Sequence, residues 1–465
     1  MKSMVTIFFL ISLVMPLSAQ TVHEVFDGES IQESINAAAA GDTIRVGEGV
    51  YTGTLTLTKK LHLVGAGDRD SIRIMASGTG VYFSSGSNGS SLRGFTITSS
   101  GDQGVYIHHN GSANPYLIMN NVIKDCKEDG FLSGNYFDNV SLFPTVVLIN
   151  NVFTGNRVGL DANGNPGLTS AQNVFVGNDS IGVDRFKGLS SADSILNNGN
   201  GDGFGIRILE GGTVIGAVIS GNQGNGVYIN DPNVATIRAN QISGNSGHGI
   251  FTNGGGDYAW KISNNLITNN GGNGLFLTYD QDFNRICLTE ISNNVFYGNT
   301  GAGLLFDEVY FGGGTVGHSG DILVNNNIIA NNTAGGIDRV VNSDVWAVND
   351  VNLLYNNVYN NAGGNYLNGF SAGYGSLAAD PQFTNAAGGD FSLNSGSPCI
   401  NAGQPSTSFL DLDLTRNDLG LYGGSWSFAQ YFNNPDGARV LRLKLSNRFV
   451  RQGETITIDA EGLAR

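Results

Sequence analysis

NNVFTGN, residues Asn150–Asn156, is the stretch on which the fold turns. It recurs as NNVIKDC from Asn120, QNVFVGN from Gln172, DSILNNG from Asp193, GAVISGN from Gly216, ANQISGN from Ala239, NNLITNN from Asn264, NNVFYGN from Asn293, NNIIANN from Asn326 and NNVYNNA from Asn356. The second position is Asn in eight of the ten rows, the fourth is apolar in all ten, and the seventh is Asn in seven. The rows follow one another at 30, 22, 21, 23, 23, 25, 29, 33 and 30 residues.

A helical repeat would place apolar residues at i, i+3, i+4 and i+7, and these rows do not. They hold short β-branched and aromatic runs between Gly and Asn turns, which is the grammar of strands. Three short strands per repeat fit one coil of a parallel β-helix, each coil rising about 4.8 Å above the last. The fourth-position column (Ile123, Phe153, Phe175, Leu196, Ile219, Ile242, Ile267, Phe296, Ile329, Tyr359) then fills the core. An Asn at the same inward turn of every coil can bond its neighbours above and below, satisfying backbone that would otherwise be buried unpaired.

A second element follows most rows: GNGVYI from Gly224, GHGIF from Gly247, GNGLFL from Gly272 and GAGLLF from Gly301. Its glycines are read as positive-φ turn residues. His248 takes the middle of Gly-x-Gly, where neighbouring coils hold Asn225, Asn273 and Ala302. It is therefore read as a solvent-facing turn residue, not a catalytic one.

The ends break the period. Residues 1–19 have Lys2 ahead of an apolar run too short to span a bilayer, and read as a secretory signal peptide. Ser30 and Glu33 form a capping box for a short helix with Ile31 and Ile35 inward and Gly41 as its stop, expected to cover the bottom of the solenoid over residues 20–432. Ser397–Gly424, SPCINAGQPSTSFLDLDLTRNDLGLYGG, is expected to close its top. Residues 437–465 alternate apolar and polar as the first strands of a truncated β-sandwich module.

The formal charge of −15 removes nucleic acid and anionic membranes as partners. Three cysteines, Cys126, Cys287 and Cys399, give no disulfide framework. Cys126 is read as an apolar filler of a turn slot.

The opening segment, the Asn/Gly rows and the closing DLDLTRNDLGLYGG together resemble secreted right-handed parallel β-helix proteins of the pectin-lyase-like superfamily. The resemblance implies an all-β right-handed parallel β-helix with a capping helix. It does not fix a function, because this scaffold carries lyases, hydrolases, adhesins and binding proteins. The superfamily's lyase motifs are missing, and of its hydrolase motifs only the Gly-His-Gly is present.

Candidate chemistry lies at the far ends of the strands that follow the glycines: His108, His109, Asn163, Glu210, Asp231, Asn253, Tyr279 with Asp280, and Asp307 with Glu308. Asp280, Asp307 and Glu308 are the candidate catalytic acids, with Asp280 and Asp307 expected one coil apart, roughly 5 Å. Asp231, Asp280 and Asp282 are the residues that would hold a calcium ion; no other cofactor is called for. Insertions bring Tyr136, Tyr279, Phe283, Arg285 and Tyr310 together as candidate sugar contacts, aromatic faces beside charges. The leading expectation is a secreted or cell-surface protein that contacts extracellular polysaccharide through its loop-bearing face. A polysaccharide lyase or glycoside hydrolase, and a structural or adhesive spacer, are the alternatives.

Overall fold

The computed structural model describes residues 20–108, 114–134, 143–200, 203–209, 211–230, 234–253, 259–280, 289–309, 322–341, 351–432, 439–445 and 458–463. Each coil contributes one short strand to each of three parallel sheets. The first sheet has 14 strands, from Val22–Val25 to Val351–Leu354. The second has 13, from Gly49–Thr52 to Asn357–Tyr359, and the third has 12, from Leu55–Leu57 to Gly335–Arg339. Neighbouring strands in a sheet lie one coil apart in sequence, so the chain is the all-β parallel β-helix that the rows predict.

The rows work through backbone conformation. The first and sixth positions are left-handed, as at Asn150 (φ 55°) and Gly155 (φ 62°). Each such residue bends the chain sharply, and Asn and Gly tolerate this best. The residue after each bend turns inward, and Asn151 and Asn156 are both fully buried. Two asparagine ladders therefore flank the second sheet. Asn173 Oδ1 accepts from the backbone N–H of Asn151 (2.8 Å) and from its Nδ2 (2.9 Å), while Asn151 Nδ2 also donates to Ile118 O at 2.8 Å. Asn156 and Asn178 repeat the pattern in the second ladder. Between the ladders runs the core column, in which the Phe153 and Phe175 rings stack at 4.9 Å and 7°.

The register moves two rows by one residue. Phe175 pairs with Ile195 and Ile329 with Val358, so Ile195 and Val358 fill the core. Leu196 and Tyr359 are only half-buried. Those rows begin at Ala192 and Tyr355, left-handed at φ 54° and 52° with neither Asn nor Gly to mark the bend. In the corrected frame Asn198 and Asn361 join the second ladder, and Asp193 takes an asparagine's place in the first.

The glycines of the second element are also corrected. Gly249 is not left-handed; a Cβ there would lie 2.6 Å from Ile267 Cγ2 and 2.7 Å from the Gly274 carbonyl oxygen of the next coil. Close approach of stacked backbones, not positive φ, demands glycine.

The capping helix is Ile31–Ala37, with Ser30 Oγ accepting from Glu33 N at 3.2 Å and Ile31 and Ile35 buried. It ends at Ala38, before Gly41. Its Gln32 amide grips the open edge of the third sheet: Oε1 accepts from Thr56 N at 2.7 Å and Nε2 donates to Thr56 O at 3.3 Å. An unpaired edge invites association with other chains. Gln32→Leu is expected to cost about 1–2 kcal/mol and to promote self-association, read by thermal unfolding and light scattering.

Ser397–Gly424 does not close the top. That place is taken by residues 362–379, whose Tyr366 and Tyr374 bridge to Ile337 and Leu354 and whose Phe370 packs in the core beside Phe306. The closing segment instead runs back down the outside as a strap. Asn264 Nδ2 donates to Leu421 O and Gly423 O, Asn293 Nδ2 to Asp418 O and Gly420 O, and Tyr431 reaches Gly216. Phe391, Cys399, Leu419, Leu421, Phe428 and Tyr431 form a second core with Leu266, Val295 and Ile328 of the second sheet. Burial pushes the Cys126 thiol up to about 12 and the Cys399 thiol to about 11, in keeping with inert filler. Arg439–Leu445 and Ile458–Leu463 pair antiparallel. The expected signal peptide and Cys287 lie outside the described residues.

Candidate functional site on the third sheet

The three insertions read from the sequence all interrupt the connection from the third sheet to the first, following Asp129–Ser133, Leu275–Asp280 and Ala302–Val309. Tyr136, Phe283, Arg285, Tyr310, Asp231 and Asp282 lie outside the described residues, as do His109 and Glu210. The backbone of Tyr279, Asp280 and Glu308 is described. Thr278 stands opposite Asp307, Tyr279 opposite Glu308 and Asp280 opposite Val309. Asp280 and Asp307 are thus not stacked partners. They are two residues out of step, roughly 8 Å between Cα atoms by strand rise and coil spacing. The strands run on by equal register from Leu275 and Leu304, whereas counting to their ends aligned residues of unequal offset. Asp307 is half-buried, and loss of hydration raises its carboxyl above the ordinary range.

The same register brings together residues that the sequence reading passed over. Two positions after each glycine of the third sheet, the side chain points outward. Along that column stand Tyr82, Tyr106, Leu132, Asp161, Asp184, Arg207, Tyr228, Phe251, Phe276, Leu305 and Asp338. Aromatic rings occupy both flanks. Tyr82 and Tyr106 lie 5.4 Å apart, and Tyr228, Phe251 and Phe276 follow one another at 5.4 Å. All five are half-buried, presenting ring to solvent.

Between the flanks lies a ladder of charge. Arg157 bonds Glu128 Oε2 at 2.6 Å and Asp129 Oδ1 at 2.7 Å. Arg185 grips Asp161 through Nε and Nη2, and Arg207 grips Asp184 at 2.5 and 2.8 Å. The middle is built on a bulge: Asp184 and Arg185 together face the single Arg207, and Arg185 is left-handed at φ 49°. Bulges of this kind re-aim side chains and recur beside functional sites. Burial, then the neighbouring Asp161 charge, pushes the Asp129 carboxyl up to about 7, against the opposing pull of Arg157. The missed signal was local: GLDAN from Gly159, GVDRF from Gly182 and GIRIL from Gly205 each place a charge at the same offset from glycine.

His248 is corrected as well. It is half-buried, its Nδ1 accepts from Asn273 N at 2.9 Å, and its own N–H donates to Asn225 Oδ1 at 2.7 Å. Its ring lies 5.2 Å from Phe276 and 5.7 Å from Phe251. It is a rung of a short polar ladder behind the aromatic flank, and burial holds its imidazole below the usual value. Among the described residues no group of three or more His, Cys, Asp or Glu side chains is arranged to hold a metal ion. No helix there is long and apolar enough to cross a membrane.

A family model described as "Right handed beta helix region" matches residues 172–289 and 205–385. Among solved structures the chain is similar to pectate lyase Pel9A, at 15% identity and a TM-score of 0.44, covering 88% of this chain and 97% of that one. It is similar to the A-module of the Azotobacter vinelandii mannuronan C-5 epimerase AlgE6, at 19% identity and a TM-score of 0.39, covering 76% and 94%. It is also similar to the catalytic domain of a GH87 alpha-1,3-glucanase, at 14% identity and a TM-score of 0.31, covering 78% and 68%. At such identities the likeness concerns the fold alone. No curated protein matches the chain.

Proposed function

We propose that this is an exported protein that holds an extracellular polysaccharide along the outward face of its third sheet. One observation carries the reading: half-buried rings repeat at 5.4 Å on both sides of a charged centre. A row of rings spaced by coils offers an elongated sugar chain successive apolar platforms, and the Arg and Asp side chains offer its hydroxyls and any carboxylates fixed partners. The three insertions follow strands of this sheet in the sequence, and loops carried on a rigid scaffold commonly serve binding.

The double variant Tyr228→Ala/Phe251→Ala is expected to weaken retention on the bound glycan by about tenfold or more, taking about 1 kcal/mol per lost ring contact. Affinity electrophoresis across a panel of uronate and neutral polysaccharides measures it. Tyr359→Ala, on the second sheet, serves as the control and should bind as the wild type does. Unchanged retention in the double variant would sink the proposal.

Catalysis on the same face is the second reading, favoured by the Asp129 carboxyl at about 7, where an acid–base group works best near neutral pH. Asp129→Asn would then abolish release of unsaturated or reducing products from the bound glycan while binding persists. A glycan that binds and is never cleaved leaves the protein a binder, and the catalytic roles of Asp280, Asp307 and Glu308 fall with Asp129.

A further inference from the structure

On the opposite side of the molecule, where the strap crosses the solenoid, there is a cavity of about 280 Å³. Its floor is the first sheet: Arg238, Ser263 and Ser292 share one register column, and Lys261 and Glu290 share the next. Its roof is the strap, through Ser408, Phe409, Ser425 and Trp426.

Arg238 is the anomaly. Arg157, Arg185 and Arg207 are each ion-paired to an aspartate. The Arg238 guanidinium instead lies over the Trp426 ring at 4.0 Å, and among the described residues its one hydrogen bond runs from Nε to Ser263 Oγ at 3.2 Å. Among the described residues no carboxylate is within ion-pair distance of it. Glu290, whose Oε1 accepts from Ser292 Oγ at 2.7 Å, acts on it only from further away. Desolvation is strong enough to push the arginine below its ordinary value. Arg238 is half-buried and its Nη groups open into the cavity with no protein acceptor among the described residues, where they are placed to meet an anion. The lining carries two cations against one carboxylate, in a protein whose net charge is −15. The remaining lining is rich in hydroxyls.

We propose that this cavity binds a small hydroxyl-rich carboxylate, a sugar acid of the hexuronate class, with its carboxylate on the idle Nη groups of Arg238 and its hydroxyls among Ser263, Ser292 and Glu290. The planar guanidinium suits a carboxylate, which it meets through two parallel donors. The volume lies at the small end of ligand pockets, room for a single ring and not for a chain. The site shares no residue with the third-sheet face and does not depend on that reading.

Titration calorimetry of the full chain with galacturonate, glucuronate, an oligogalacturonide and neutral galactose tests it. Heat is expected for the uronates and none for galactose. Binding of the free acid marks a monomer site, and binding of the oligomer alone marks a chain-end site; either upholds the assignment. Arg238→Gln should weaken the uronate at least about tenfold, the loss of a charge-assisted pair. Lys261→Met, at an exposed position that cannot unfold the chain, should weaken it by a smaller factor. The Tyr228→Ala/Phe251→Ala protein should bind uronate as the wild type does, which separates this site from the polysaccharide face. No heat with any acid, equal heat with galactose, or uronate binding that survives both Arg238→Gln and Lys261→Met overturns the proposal.

Discussion

Asn151→Ala is expected to cost about 4 kcal/mol, while Asn150→Gly, one residue earlier, changes stability by less than about 0.5 kcal/mol. The two asparagines have the same chemistry and opposite duties. Asn151 is fully buried; its Oδ1 accepts from the N–H and Nδ2 of Asn121 at 3.0 and 3.1 Å, and its Nδ2 donates to Ile118 O and Asn173 Oδ1 at 2.8 and 2.9 Å. Truncation leaves the Asn121 backbone N–H buried without an acceptor, at about 1–3 kcal/mol, and takes one bond each from the Asn121 side-chain amide, which keeps Leu92 O, and from the Ile118 carbonyl, at about 1 kcal/mol apiece. Asn150 serves through its backbone, left-handed at φ 55°, which glycine adopts freely. Its exposed side chain makes one bond, Nδ2 to Asn120 Oδ1 at 2.6 Å, which water replaces at little cost. Urea unfolding of the two variants beside the wild type measures the difference. Equal losses at both positions would mean that the ladder contributes no more than the turn.

That contrast also explains how much of the fold could be read in advance. A solenoid repeats its constraints, so each requirement appears as a column. The inward Asn, the apolar fourth position and the close-packed glycine are visible because few residues satisfy them. The left-handed bend is less restrictive. Ala192 and Tyr355 adopt it, and there the frame slipped by one residue. The glycine column was recognised for the wrong reason, since a sequence shows that a Cβ is excluded and not what excludes it. The strap was misplaced because its contacts, Asn264 and Asn293 to carbonyls more than a hundred residues away, leave no local pattern.

The candidate site was less legible than the fold. The sequence points to strand ends as the place for chemistry; of those residues His109, Glu210 and Asp231 lie outside the described part of the chain, and Tyr279, Asp280 and Glu308 are described by their backbone alone. Asp184, Arg185 and Arg207 sit within strands, where alternation makes an outward Asp or Arg look like ordinary surface, while Asp129 opens one strand and Asp161 closes another. Only stacking shows that Asp129, Asp161 and Asp184 meet Arg157, Arg185 and Arg207 from neighbouring coils. The bulge at Asp184–Arg185 adds a residue that no even count from glycine would reveal.

Asp193→Asn should stabilise the protein by about 1–3 kcal/mol at pH 8, an uncommon outcome for a substitution in a fully packed interior. Asp193 occupies an asparagine rung. Its Oδ1 accepts from Asn173 N at 2.8 Å as the other rungs do, and its Oδ2 accepts from Ser190 Oγ at 2.6 Å. No cation is paired with it among the described residues, and burial raises its carboxyl to about 6. An unfolded aspartate titrates near 3.9. Between these values the folded chain holds a proton that the unfolded chain has lost, so the wild type gains stability as pH falls from about 6 to about 4 and loses it as pH rises through about 6. An amide has no charge to bury and keeps the acceptor for Asn173, with its Nδ2 facing Ser190 Oγ. The variant's advantage should therefore be full above about pH 7, shrink through about 6 and vanish near 4. Thermal midpoints of both proteins at pH 8, 6 and 4 follow the difference directly. An advantage that is constant with pH would show that Asp193 titrates alike in the folded and unfolded chain, and that the asparagine gains by packing instead.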